Sequence, residues 1–450
     1  MLTYSSAADT VKERRRLTSA QIIILGFSGV ILLGALLLTL PLSSREGTAT
    51  FFGDALFTAT SAVCVTGLVV RDTATYWSAF GQGVILFLIQ IGGMGVITVA
   101  ASFAILSGRK ISLMQRNTMQ EALSAPSLGG IVRLTGFAVK ATLLFELLGA
   151  AAMAPVFCRD FGAKGLWMAL FHSVSAFCNA GFDLMGVRER FSSLTAYAVQ
   201  PVVNMTVMLL IITGGIGFLT WDDLRTNRWH WHKYRMQTKV ILTSTAVLLI
   251  VPAVYFFFQE FAVLPLNERV WLSLFQAVTP RTAGFNTADL TVLSEPGGYI
   301  TMALMLVGGA PGSTAGGMKT TTLAVLLATA AATFRRREYA VFFGRRVNSD
   351  AVRNAATIFL MYIVLFFGGA LAISMLEGLP MYQCLFETAS AIGTVGLTLG
   401  VTPGLGAASR LILIGLMFFG RVGGLTLIFA ALSGAKKTGS KLPQEKITVG

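Results

Sequence analysis

Long stretches without a single charge restrict this chain more than any other feature. No Asp, Glu, Lys or Arg occurs in Leu17–Ser44, Thr73–Gly108, Phe191–Trp221 or Asn354–Leu376. A helix needs about 20 mostly apolar residues to cross a bilayer core of roughly 30 Å, and each stretch is long enough. Charged residues make up 12% of the 450, about half of the roughly 25% in a soluble domain. A solvated surface cannot be built from so little charge. Backbone polar groups in lipid must be satisfied within the segment, so the expected fold is an all-α polytopic membrane protein. Soluble enzymes, secreted disulfide scaffolds and disordered chains are excluded.

The 35 basic residues outnumber the 21 acidic ones, for a net charge of +14. Most of the basic residues cluster in the N-terminal tail (Lys12, Arg14, Arg15, Arg16), the C-terminal tail and three connectors. The connectors carry Arg109, Lys110 and Arg116, then Arg225, Arg228, Lys233, Arg235 and Lys239, then Arg335, Arg336, Arg337, Arg345, Arg346 and Arg353. Basic loops stay cytoplasmic, so both termini and these connectors are expected to face the cytoplasm, and topology accounts for the clusters without nucleic acid. The run Ile22–Leu40 follows a basic tail but lacks a small-residue cleavage site, and reads as a retained first span. Cys64, Cys158, Cys178 and Cys384 form no paired framework or metal spacing with His172, His230 or His232, and a Cys158–Cys384 bridge is not expected.

Four segments resemble one another: Leu56–Ser61 ending at Thr66-Gly67-Leu68, Leu170–Ser175 ending at Ala180-Gly181-Phe182, Leu274–Thr279 ending at Ala283-Gly284-Phe285, and Leu385–Ser390 ending at Val395-Gly396-Leu397. Their glycines recur at intervals of 114, 103 and 112 residues. Each copy lies between two apolar runs, and each following run carries a second glycine group: Gly92-Gly93-Met94-Gly95, Gly214-Gly215-Ile216-Gly217, Gly308-Gly309-Ala310-Pro311-Gly312 and Gly420-Arg421-Val422-Gly423-Gly424. The unit is span, short helix with Gly loop, span. The organisation is a tail at 1–19, pore repeats at 20–106, 131–221, 239–334 and 353–433, and a tail at 434–450. A helix of about ten residues reaches only about 15 Å, so the middle element must enter and leave on one face. Irregular backbone at membrane depth survives only where protein buries it or water wets it. Eight spans and four re-entrant loops therefore predict a central pathway with pseudo-fourfold symmetry.

The strips after the short helices are Val65-Thr66-Gly67, Asn179-Ala180-Gly181, Thr282-Ala283-Gly284 and Thr394-Val395-Gly396. Their side chains differ and none is a carboxylate, so what they share is backbone. Four such strips about one axis offer rings of carbonyl oxygens that replace the hydration shell of a weakly hydrated monovalent cation. The short helices' partly negative C-terminal ends would favour the same charge. For a single copy, close helix packing would be the better explanation of the glycines, but four aligned copies favour the filter. The third following run is singled out as broken, because Gly308–Gly317 is too rich in Gly and Pro for continuous helix. Gly308, Gly309, Gly312, Ser313, Thr314, Gly316 and Gly317 are read as a flexible gating loop. Arg421, mid-span in the fourth repeat, is expected to hydrogen-bond its carbonyls, with Lys319 at the lower edge. Arg281 is expected to point away from the axis, toward Glu or backbone acceptors. Lys140, Glu146 and Glu387 are read as structural.

With these residues the chain resembles the Ktr/Trk/HKT superfamily of potassium transporters over essentially its whole length. The most distinctive matches are Thr279–Asn286, Thr394–Thr398, Gly308–Lys319 and Phe419–Gly423. Eight spans with no additional pair resembles the bacterial Ktr-type membrane subunit most. The resemblance implies potassium selectivity, since all four filter positions are Gly, and a homodimer in the bacterial plasma membrane with one pore per subunit. It also implies a cytosolic ring of nucleotide-binding, RCK-type regulatory subunits on the basic connectors, and a C-terminal tail, Lys446–Gly450, that tucks into the dimer. No phosphate-binding loop occurs here, so ATP or ADP is expected on that partner. The alternative is a sodium-permeable or cation-coupled symporter of the same superfamily. An enzyme is not expected, because the spans show no nucleophile–base pair or metal cluster, and a solute carrier would more typically show two inverted halves.

Overall fold

The computed structural model describes residues 18–106, 112–122, 129–424 and 426–427. Both basic tails, Arg109, Lys110 and the end of the fourth repeat lie outside the described residues.

The chain is mostly helical. The first repeat runs α1 (Ser19–Thr39), the short α2 (Phe52–Val63), a one-turn α3 (Thr73–Tyr76), α4 (Ala79–Met94) and α5 (Val96–Leu106), and α6 (Leu113–Ala122) lies in the connector. The second holds α7 (Ile131–Phe161), α8 (Lys164–Phe177), α9 (Pro201–Gly215) and α10 (Phe218–Asn227). The third holds α11 (Met236–Tyr255), α12 (Leu266–Val278), α13 (Glu295–Leu306) and α14 (Thr320–Phe334). A hairpin, β1 (Val341–Phe342) and β2 (Arg345–Arg346), then leads to α15 (Ser349–Glu377), α16 (Met381–Gly393) and α17 (Ala407–Val422). Its two-residue turn, Phe343-Gly344, has positive φ at both positions, as a type I′ turn requires.

Helix α1 shows why these sequences make spans. Thr18 and Gln21 close a capping box at its start. Ile23, Phe27, Ile31, Ala35 and Leu38 form a narrow buried stripe, while Leu25, Leu32, Leu33 and Leu36 face outward. A helix that is apolar on both sides has lipid for solvent. Four helices (α1, α7, α11 continued to Glu260, and α15) are long and apolar enough to cross a membrane unbroken.

The following runs depart from the expectation that only the third is broken. The pair α4–α5 bends by 95° and the pair α9–α10 by 94°. The helix ends fall at Gly95, Gly217 and Gly423, with φ of +85°, +88° and +90°. One glycine at positive φ suffices to stop the helical ladder, without the proline that marks the third run. The fourth run also ends α17 at Gly423, and the third passes through irregular backbone from Val307 to Lys319.

The packing order is cyclic. Each repeat's first helix lies on its own short helix: α1 on α2, α7 on α8, α11 on α12, α15 on α16. Between repeats, α4 meets α8, α9 meets α12, α13 meets α16, and α17 returns to α2. Buried Asp54 strengthens that last contact, receiving Arg410 of α17 at 2.7 Å and Arg71 at 2.8 Å.

Candidate ion pathway

Each short helix ends in a strip of alternating backbone handedness. Val65, Asn179, Thr282 and Thr394 have φ of +57°, +59°, +67° and +51°, and the glycines two residues later have +93°, +68°, +79° and +96°. The residue between them is not left-handed in any copy. Reversing handedness at every second residue turns successive carbonyls to one side of the strip. The amides turn the other way, into the helix ends. Thr66 N–H donates to Ser61 O (2.8 Å), Ala180 N–H to Ser175 O (2.7 Å), Ala283 N–H to Thr279 O (3.0 Å) and Val395 N–H to Ser390 O (2.8 Å). No hydrogen bond to the carbonyls of these twelve strip residues is present among the described residues.

The strips also touch one another in order. A Cβ built on Gly67 would lie 2.5 Å from Ala180 O, and one on Gly181 would lie 2.8 Å from Ala283 O. One on Gly284 would strike Val395 O, and one on Gly396 would strike Thr66 O. The sequence one-two-three-four-one is closed, and the predicted residues of all four copies are brought together and buried. The second glycine group serves close packing: side chains on Gly92, Gly214 and Gly420 would run into the carbonyls of Val63, Phe177 and Ile392 at the short helices' C-terminal ends.

Next to the second glycine groups is a cavity of about 230 Å³, lined from all four repeats by Gly95, Phe218, Gly312, Lys319 and Gly423 among others. The loop between Val307 and Lys319 forms part of it and is pinned rather than free. Ala310 N–H donates to Gly215 O (2.9 Å), Phe218 N–H to Gly312 O (2.9 Å), Gly317 N–H to Gly420 O (3.1 Å) and Thr314 Oγ1 to Phe177 O (2.9 Å). Arg421 donates to Thr314 O in this loop and also to Gly92 O and Gly93 O, the last at 3.0 Å, in the first repeat. Lys319 Nζ holds Ala315 O at 2.8 Å. Arg421 therefore joins this loop to the end of α4 in the neighbouring first repeat.

The sequence profile described as TrkH, cation transport protein, matches residues 4–438. The chain belongs to this family. It is a cation transporter, not an enzyme. It is 42% identical to the potassium/sodium uptake protein NtpJ of Enterococcus hirae, over 97% of this chain and 98% of that one. It is 38% identical to the Ktr system potassium uptake protein B of Bacillus subtilis, over 94% and 95%. The potassium transporter TrkH from Vibrio parahaemolyticus shares the fold, with a TM-score of 0.73 at 18% identity over 93% of this chain and 86% of that one.

Other residues of this TrkH-family chain depart from or extend the sequence reading. Arg281 does not find Glu or a backbone acceptor. One guanidinium nitrogen reaches Thr245 Oγ1 at 3.5 Å, and its Nε has no partner among the described residues. The space beside it is lined by Ile211, Leu249 and Val278, and no carboxylate among the described residues pairs with it. Glu146 accepts from Gln90 at 3.2 Å, beside the Cys178 thiol, and Glu387 ties the fourth strip to its outer loop through Thr398 (2.6 Å), Leu399 N–H (3.0 Å) and Thr402. All four cysteines are free. Two sets of residues acquire a role only in the structure. The hydroxyls of Ser61 and Ser390 accept Gly67 N–H and Gly396 N–H at 3.0 Å, and Thr279 Oγ1 donates to Phe285 O. These hydroxyl residues end the recurring hexamers, so the repeat itself carried the signal. Glu121 of α6 lines the cavity, and nothing in its local sequence marks it.

Proposed function

We propose that the chain takes up potassium through a filter of backbone carbonyls contributed by four span–pore-helix–span repeats around one pseudo-fourfold axis. One observation carries this reading: the four strips share alternating handedness, leave their carbonyls unpartnered and approach one another in closed order. Such rings stand in for water around a weakly hydrated ion. The names of the potassium-uptake relatives support the choice of ion. The helices α2, α8, α12 and α16 end at the strips, where their C-terminal dipoles add negative potential.

The Val307–Lys319 loop, with Arg421 and Lys319, is the gate in this reading. The working assembly is a homodimer in the bacterial inner membrane, with both termini and the basic connectors in the cytoplasm. A nucleotide-binding regulatory ring docks there, and this chain binds no nucleotide itself. The relatives named as components of a Ktr system support a partner of this kind. A second reading, in which sodium also passes, is favoured by the potassium/sodium name of the 42% identical relative.

Rubidium uptake into proteoliposomes, with sodium as competitor, tests both. Wild type should carry rubidium with little sodium competition, and Gly67→Ser should admit sodium. Flux and competition both unaltered in Gly67→Ser would remove the filter assignment. Strong sodium competition in wild type would favour the second reading.

A further inference from the structure

Away from the pathway, a groove of about 990 Å³ opens between the first turns of α7 and the bent-away α10. Four cations line it: Arg133 and Lys140 on α7, Arg225 on α10, and Arg228 just after it. Asp222 is the single carboxylate among its lining residues. None of the four cations is in an ion pair among the described residues, whose pairs lie elsewhere. Phe137 instead carries the Arg225 guanidinium 5.3 Å above its ring.

Positions 133, 136, 137, 140, 141 and 144 fall on one face of α7 and all line the groove. With a rise of about 1.5 Å per residue, Lys140 sits roughly 10 Å and Leu144 roughly 16 Å deeper than Arg133. The groove thus begins cationic at the connector and becomes apolar toward Leu144 and Phe145, with exposed Trp229 at its mouth. Unpaired cations at a membrane surface are stabilised by anionic headgroups, and tryptophan prefers that depth.

We propose that this groove binds an anionic phospholipid, its phosphate among Arg133, Arg225 and Arg228 and one acyl chain along Leu144 and Phe145. A free phosphate would leave the apolar end empty, and a neutral lipid would leave the cations uncompensated. The site lies outside the filter and gate and does not depend on which ion is carried; because Arg225 and Arg228 belong to the second basic connector, it leaves the regulatory ring of the proposed function to the other two connectors.

Native mass spectrometry of the purified full chain, given equal phosphatidylglycerol and phosphatidylcholine of matched chains, reads this directly. Wild type should retain phosphatidylglycerol by about tenfold over phosphatidylcholine. R225Q/R228Q should bring that ratio close to one. Gly136 offers a second variant, because it lines the groove and a Cβ there meets no atom within 4 Å. G136W should fill the groove and lower retention of both lipids. An unchanged ratio in the double variant would overturn the proposal. So would displacement of phosphatidylglycerol by excess inorganic phosphate, which would mark a free-anion site. Loss of a cytosolic partner's binding in R225Q/R228Q with the lipid ratio intact would make the patch a protein-docking surface and overturn it as well.

Discussion

Replacing Arg421 with alanine tests whether the broken loop is a gate. The guanidinium joins Thr314 O of that loop to Gly92 O and Gly93 O of the first repeat. A hydrogen bond from a charged donor contributes about 1.5–3 kcal/mol. Water in the adjoining cavity can solvate the freed Thr314 carbonyl, which points to the low end, near 1.5 kcal/mol. If that bond holds the loop across the path, its loss shifts the closed-to-open ratio by about tenfold. Rubidium uptake by the chain alone, in proteoliposomes without any partner, should therefore start about tenfold faster in Arg421→Ala. Arg421→Lys can keep one carbonyl but not both sides, and should fall between. The rubidium-to-sodium ratio should not move, because among the described residues Arg421 makes no hydrogen bond to a strip residue. An initial rate within about twofold of wild type would refute a holding role, since 1.5 kcal/mol cannot hide in that margin. A changed ion ratio would refute it differently, by showing that Arg421 acts on the filter.

Four further outcomes are expected. Ser61→Ala removes a buried acceptor from Gly67 N–H at 3.0 Å, about 1 kcal/mol of local support; rubidium-over-sodium preference should fall while uptake persists, as competition assays would show. Gly284→Ala places a methyl against Val395 O at φ +79° and should abolish uptake with protein still present in the membrane fraction. Asp54→Ala leaves Arg410 and Arg71 without their carboxylate, and because Arg71 is half-exposed the cost should be about 2 kcal/mol, read as a lower unfolding temperature in detergent. Glu121→Lys replaces the one carboxylate among the cavity's lining residues with a third cation beside Lys319 and Arg421, and should slow uptake several-fold at low salt but less at high salt.

The sequence disclosed those parts of the fold that need a particular composition. Lipid-facing helices such as α1 need an unbroken apolar run, so charge-free stretches located them. At the third position of each strip a side chain would strike the next strip's carbonyl as well as sit at positive φ, so glycine recurred at Gly67, Gly181, Gly284 and Gly396, whereas Val65, Asn179, Thr282 and Thr394 carry side chains at the first. What composition does not demand stayed hidden. The sharp ends at Gly95, Gly217 and Gly423 each use one glycine within a group that packing also explains, whereas Pro311 advertised the third break. Arg281 meets Thr245 only because α11 is brought against α12 by tertiary packing, and a hydroxyl 36 residues upstream gives no local sign.

The same contrast bears on how the loop can move. Composition suggests a slack segment, but its hydrogen bonds run to the second repeat at Gly215 and Phe218 and to the fourth at Gly420 and Arg421. If the loop is the gate, its opening means exchanging one set of paired carbonyls and amides for another, with water admitted to the cavity as the available substitute. A segment held at so many points moves between discrete arrangements rather than drifting, because each intermediate strands a buried polar group. Glycine and alanine at Gly308–Gly317 then have a purpose beyond flexibility. With no bulky side chain to repack, the closed and open arrangements of such a gate would differ mainly in hydrogen bonds, and a gap of a few kcal/mol would be small enough for a single arginine to bias.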